Sequence, residues 1–207
     1  MVGKRGKYRA IVSSDWNECL APTGPFDVIT FHYPELAQTL SGIFRDYTGN
    51  KISLGRAVEE IKGLLPGPIT KDHMDAYLDA SFRIYRGVPE FIEWCLKKDI
   101  LFMINTTAFQ GFCQRAIAKG LIPQVQVVSA YPMVRYGSEE RVGTRWMDLL
   151  ETNDKPINTQ KVMKEAGISP DRVILIGFPA LYRGQSRGTF RFLFNAIFYG
   201  PAKSADL

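Results

Sequence analysis

The sequence predicts an α/β protein: a parallel sheet with crossover helices, interrupted after its first strand by a small helical insert. Three observations predict it. After residue 87, short apolar runs rich in β-branched residues alternate with segments of helical periodicity, the pattern of strand–helix–strand units. Between residues 20 and 86 that alternation is absent, and the apolar residues fall at helical spacing only. Ahead of this stretch, Ala10-Ile11-Val12-Ser13-Ser14-Asp15 reads as one more buried strand.

The elements follow in order. Residues 8–15 form the first strand, and residues 22–33, rich in Pro and aromatics, form a loop. Residues 34–48 read as a helix. Residues 53–65 place Leu54, Val58, Ile61 and Leu65 on one helical face, with Glu59, Glu60 and Lys62 off it. A third helix covers residues 70–83. Gly87-Val88-Pro89 opens the next, with Pro near its first position and Phe91, Ile92, Cys95 and Leu96 inward. Ile100 to Ile104 is a strand, Ala108 to Lys119 a helix with Phe109, Phe112, Cys113 and Ala116 inward, and Gln124 to Ala130 a strand. A helix over 158–166 is closed by Gly167, and Val173 to Ile176 is a strand ending at Gly177. The division that follows is a core of residues 1–19 and 87–207 with a helical insert of residues 20–86.

Bulk properties narrow the function. The 207 residues are 45% hydrophobic and 23% charged, an ordinary globular composition. The net charge of +5 is small and its Lys and Arg are scattered, so no nucleic-acid partner is expected. The longest apolar runs suit strands and are far too short to span a membrane. The basic start, Met1 to Lys7, is not followed by a signal-peptide apolar stretch. Cys19, Cys95 and Cys113 show no paired spacing, which argues for a reduced, cytoplasmic setting. His32 and His73 are the only histidines and form no ligand-spaced pair, which argues against zinc and Ser/His chemistry.

Three segments carry candidate chemistry. Asp15 ends the first strand, where open α/β sheets bind ligands; taken alone, a strand-end Asp is more often an N-cap or turn residue. Asn105, Thr106 and Thr107 join a strand to a helix, a setting suited to phosphate; simple N-capping is the plainer reading. Lys155, just ahead of a helix in Asp154-Lys155-Pro156, offers an ammonium to phosphate oxygens; alone it is a solvated charge.

In order and spacing these segments resemble the haloacid-dehalogenase (HAD) superfamily, in the branch of phosphoserine phosphatase and the phosphatase of methionine salvage. The resemblance rests on Ile11 to Asn17, on Arg86-Gly87-Val88-Pro89 through Ile104-Asn105-Thr106, and on Lys155-Pro156 with Gly167 to Gly177. Ile52 to Val58 and Gly63-Leu64-Leu65-Pro66 are similar to the helical cap of the methionine-salvage members. It implies a Rossmann-like core with residues 20–86 as the cap. It also implies a phosphomonoester phosphatase of small phosphorylated metabolites, with Asp15 as nucleophile. Asn105, Thr106 and Thr107 would then bind phosphate and Lys155 would stabilise its charge. Mg2+ would be held by Asp15 and the Asn17 backbone carbonyl.

The chain departs from that pattern twice. The family's acid–base carboxylate, two residues after the nucleophile, is here Asn17, and an amide delivers no proton at neutral pH. The fourth motif's metal-binding Asp positions are Phe178 and Tyr182. The tail beyond, with Arg183, Arg187 and Arg191 among aromatics, is either a diverged ending or the product of an altered reading frame. Weak magnesium binding and an impaired site are therefore expected. The alternative is an inactive protein of the same fold that binds a phosphorylated ligand or a protein partner.

Overall fold

The computed structural model describes residues 7–137, 141 and 143–177. Five parallel strands form one sheet: β1 (Ala10–Ser14), β2 (Ile100–Phe109), β3 (Val127–Tyr131), β4 (Arg145–Asp148) and β5 (Val173–Ile176), in the order β4-β3-β2-β1-β5. Seven α-helices accompany them among the described residues. α1 (Asp27–His32), α2 (Ala37–Thr48), α3 (Leu54–Leu64) and α4 (Lys71–Ser81) all fall between β1 and α5 (Val88–Lys97); α6 (Gln110–Ala118) and α7 (Asp154–Ala166) follow. No described helix is long and apolar enough to cross a membrane.

Helices lie on the returns from β1 to β2, from β2 to β3 and from β4 to β5, as parallel pairing requires a crossover connection. The centre of the sheet is apolar on both faces, as a sheet covered on both sides requires. Strand periodicity sorts the side chains. Val12, Phe102, Ile104 and Val128 pack into one large core that also takes in Ile29, Leu40, Ile61 and Leu78 of the α1–α4 segment. The alternate residues Ile11, Leu101, Met103 and Val127 face the other way and pack with Val162 of α7 and Met147. Each set loses its water-exposed apolar area, at roughly 25 cal/mol per Å².

The chain steps outward from β1 to β2, β3 and β4, then returns to the opposite side of β1 for β5. That reversal makes the end of β1 the switch point of the sheet, where ligands bind in open α/β folds. The register is continuous there: Ser14 lies level with Ile104 of β2 and with Ile176 of β5.

Four elements differ from the sequence expectation. Residues 22–33 are not all loop, because α1 occupies Asp27–His32; six residues are too few to show a period, and the helix is held by burial of Val28 and Ile29. β4, Arg145-Trp146-Met147-Asp148, has charges at both ends and only Met147 buried, so it lacks the apolar run of a central strand. β2 continues to Phe109 with a register shift after Asn105, where Thr106 Oγ1 accepts from Ala108 N at 3.2 Å, and α6 starts at Gln110 rather than Ala108. α7 begins at Asp154, four residues early. Lys155 and Pro156 lie in its first turn, where Pro removes only an N–H that has no helical partner.

Gly87 starts α5 at φ +89°, a left-handed conformation that a side chain resists. Gly167 ends α7 at φ +65° and lets the chain turn toward β5.

Candidate active site

Asp15 follows β1 directly, and its backbone N–H donates to Ile176 O at 2.8 Å, which continues the sheet one step beyond Ser14. Its parity is that of Ile11 and Ser13, so its side chain belongs to the face covered by α7. From that helix Lys155 reaches back. Its Nζ lies 2.5 Å from Asp15 Oδ2, and both side chains are about a quarter exposed (26% and 25%). The other carboxylate oxygen accepts from Trp16 N at 2.7 Å. A carboxylate and an ammonium thus meet at the open edge of the sheet, with water on one side.

A buried polar network fixes the lysine's helix. Asn105 Nδ2 lies 2.9 Å from Lys155 O, 3.1 Å from Thr159 Oγ1 and 3.3 Å from Ser13 Oγ. Ser13 and Thr159 share a hydrogen bond at 3.2 Å, and Thr159 Oγ1 donates to Lys155 O at 3.0 Å. The amide of Asn105 therefore clamps α7 to β1 and β2. The neighbouring Thr106 has opposite parity and is fully buried on the other face. Thr107 is half-buried at the strand's open end. Asn105 and Thr106 do not converge on one space, because consecutive strand residues point to opposite sides.

The chain after Asp15 turns sharply. Trp16 O accepts from the N–H groups of Cys19, Leu20 and Ala21. Glu18 sits at φ +60° with its side chain exposed. Asn17 Oδ1 accepts from Thr23 Oγ1 at 3.2 Å, which ties this turn to the start of the α1–α4 segment. Asn17, Thr23, Asp27, Tyr77 and Ala108 border a space of about 20 Å³, room for one water. Burial, with the nearby Asp27 carboxylate second, pushes the Tyr77 hydroxyl up to about 12, so it stays protonated. Burial, followed by the Asp15 charge, pushes the Cys19 thiol up to about 12 and leaves it unreactive. A larger cleft, about 400 Å³, opens between Lys62–Ile69 and Met133–Arg135, but neither Asp15 nor Lys155 lines it.

Solved structures share this fold at low sequence identity. The chain superposes on a substrate-bound phosphoserine phosphatase with a TM-score of 0.61 at 14% identity, covering 82% of this chain and 77% of that one. A phospho-aspartyl intermediate analogue of phosphoserine phosphatase matches with a TM-score of 0.60 at 14% identity, over 82% and 78%. The haloacid-dehalogenase fold is the fold of this chain. A HAD-family hydrolase from Salmonella enterica serovar Typhi matches at a TM-score of 0.57 and 14% identity over 80% of this chain, which spans 54% of that protein's length. No family model matches the sequence. No curated protein matches it either.

Within the HAD-like fold, the metal donors can be tested on the residues present. Asp15 already has partners at both oxygens, and among the described residues no three His, Cys, Asp or Glu side chains converge. This donor set does not by itself fit a resident Mg2+ ion. Phe178 and Tyr182 lie outside the described residues.

Sequence reading passes over Ser13 and Thr159, which complete the clamp on Lys155. The one signal for Ser13 is its place two residues before Asp15, on the same face. Thr159 carries no signal beyond its spacing of one helical turn from Lys155.

Proposed function

We propose that this chain is a HAD-type phosphomonoester hydrolase acting on small phosphorylated metabolites. The observation that carries the reading is the Asp15–Lys155 contact at the switch point of the sheet. An Asp15 oxygen attacks phosphorus, and the P–O bond to the leaving group breaks as the aspartyl-phosphate forms. Water then attacks that phosphorus, releases inorganic phosphate and restores the carboxylate. Lys155 offsets the phosphoryl charge, and Asn105 holds the helix that carries it. Thr107, half-buried near the end of β2, is the hydroxyl left to meet the phosphate, since Thr106 is buried on the other face. Residues 20–86 act as a cap over residues 1–19 and 87–207 and exclude water.

Asn17 cannot transfer a proton, so the leaving oxygen takes its proton from solvent. General acid catalysis contributes typically 10²–10⁴ in rate, about the factor by which alkyl esters should suffer. Aryl phosphates depart without that proton. Asp15 and the Asn17 backbone carbonyl would hold magnesium, as a counter-charge to the phosphoryl group, only together with substrate phosphate; micromolar affinity for Mg2+ alone by calorimetry would contradict this. The buried, free cysteines suit a reducing, cytoplasmic setting.

The test compares an aryl and an alkyl phosphate with the purified chain and magnesium. Slow aryl-phosphate turnover, abolished by Asp15→Asn, is the expected result. Rapid alkyl-phosphate turnover refutes an impaired site. Asn17 Oδ1, held by Thr23, favours a second reading as a binding protein for a phosphorylated ligand or a protein partner. No turnover, with phosphate binding lost in Lys155→Ala, would support that alternative.

A further inference from the structure

Glu151 lies in the loop between β4 and α7, four residues before Lys155, yet its carboxylate reaches the N-terminus of α3. One oxygen accepts from Leu54 N at 3.0 Å and the other from Gly55 N at 3.1 Å. These are the first two amides of the helix, which have no partner within it. The third, Arg56 N, goes to Ser53 Oγ at 3.1 Å. One of the three amides is thus capped by a local side chain and two by a carboxylate about a hundred residues further along the chain. A carboxylate there is favoured by both the charge-assisted bonds and the helix dipole.

The same loop makes a second polar contact. Thr152 Oγ1 and the Tyr47 hydroxyl of α2 lie 2.5 Å apart. Beneath the two polar contacts, Leu149 is fully buried against Leu54, Val58 and Tyr131. The loop is also closed on α7: Asp154 Oδ2 accepts from Leu150 N at 2.8 Å and from Glu151 N at 3.0 Å. Asp154 immediately precedes Lys155. A short path of hydrogen bonds therefore runs from the start of α3, through Glu151 and the loop, to Asp154 and to Lys155, whose N–H donates to Thr152 O at 3.1 Å.

We propose that Glu151 is a positioning residue, coupling the seat of α3 on the β4–α7 loop to the place of the Lys155 ammonium beside Asp15. The inference rests on the phosphatase reading for its catalytic consequence, though not for the latch itself. When α3 is seated, Glu151 holds the loop in the form that starts α7 at Asp154. When α3 lifts, Glu151 loses both acceptor contacts, the loop loosens, and Lys155 is no longer held toward Asp15.

The test uses the full chain as wild type, Glu151→Ala, Glu151→Gln and Ser53→Ala. Amide exchange at residues 54–56, aryl-phosphate kinetics and inorganic-phosphate binding are measured on each. In Glu151→Ala, exchange at Leu54 and Gly55 should rise at least tenfold. Its kcat should fall about tenfold with KM changed less, and phosphate affinity should weaken. Glu151→Gln, which keeps one acceptor oxygen, should recover part of each effect. Ser53→Ala removes the helix's own cap, so it should raise exchange at Arg56 while leaving kcat and phosphate affinity near wild type. Unchanged exchange at Leu54 and Gly55 in Glu151→Ala overturns the latch. Raised exchange with unaltered kcat and phosphate affinity overturns the coupling, as does an equal loss of kcat in Ser53→Ala. If the unaltered chain neither turns over aryl phosphate nor binds phosphate, the phosphatase reading and the coupling both fail, and the latch is decided by exchange alone.

Discussion

Lys155 Nζ and Asp15 Oδ2 are 2.5 Å apart although 140 residues separate them. Two backbone events make the contact: Asp15 extends β1 by one residue, and α7 starts early enough to carry Lys155 in its first turn. Lys155→Met should keep the fold and remove the charge. Losing one such charge-stabilising group typically costs 10²–10³ in turnover. Steady-state kinetics on an aryl phosphate checks this, and a loss below threefold would remove Lys155 from the proposed chemistry.

Asn105→Ala should act on stability and activity together. It leaves buried hydroxyl and carbonyl partners at Ser13, Thr159 and Lys155 without the amide. The expected destabilisation is about 1–3 kcal/mol by urea unfolding. Aryl-phosphate kcat should fall as well, because the start of α7 loses its clamp.

Arg115 holds Asp75 with two hydrogen bonds, at 2.7 and 2.8 Å, and joins α6 to α4. That guanidinium, through its hydrogen bond first, keeps the Asp75 carboxyl below its ordinary value of 3.8. A lowered folded value means the contribution is fully present above 3.8 and is lost as pH falls through the folded value. Asp75→Asn should therefore lower the melting temperature at pH 7, by the equivalent of about 1–2 kcal/mol. Its gap from wild type should narrow below pH 3.8. A gap that widened on acidification would show the sign to be wrong.

Cys19, Cys95 and Cys113 are all buried, and burial raises each thiol to about 12. Native protein at pH 8 should react with an aromatic disulfide reagent only as fast as it unfolds, and all three should react at once in denaturant. Rapid labelling of one cysteine in the native state would show that its surroundings open.

Gly87→Ala isolates a backbone effect. A Cβ at Gly87 would meet nothing within 4 Å, so the whole cost lies in the φ of +89°. Strain of this kind is roughly 1–2 kcal/mol, and denaturant midpoints should report it without a change in slope.

What the sequence determined by itself is the class of fold and two of the charged residues that meet at the edge of its sheet. Apolar runs at 10–12 and 100–104 became strands because central parallel strands are apolar on both faces, which needs no knowledge of neighbours, and the run at 173–176 is legible from its Val and Ile content. Ser53 and Gly167 mark the start of α3 and the end of α7 by local hydrogen bonding and backbone freedom. Asp15 and Lys155 stood out because charged residues at strand and helix ends are legible locally. The tertiary structure alone decided the rest. β4 exists because β3 offers it a pairing edge, since Arg145-Trp146-Met147-Asp148 has little strand character of its own. Strand alternation separates Asn105 from Thr106, and which of the two meets Lys155 depends on the face that α7 covers. Glu151 is one exposed-looking acid among many until α3 brings two unpaired amides to it. Hydrogen bonds between groups about a hundred residues apart leave no periodic trace in a chain, because only the packing of intervening elements sets their distance.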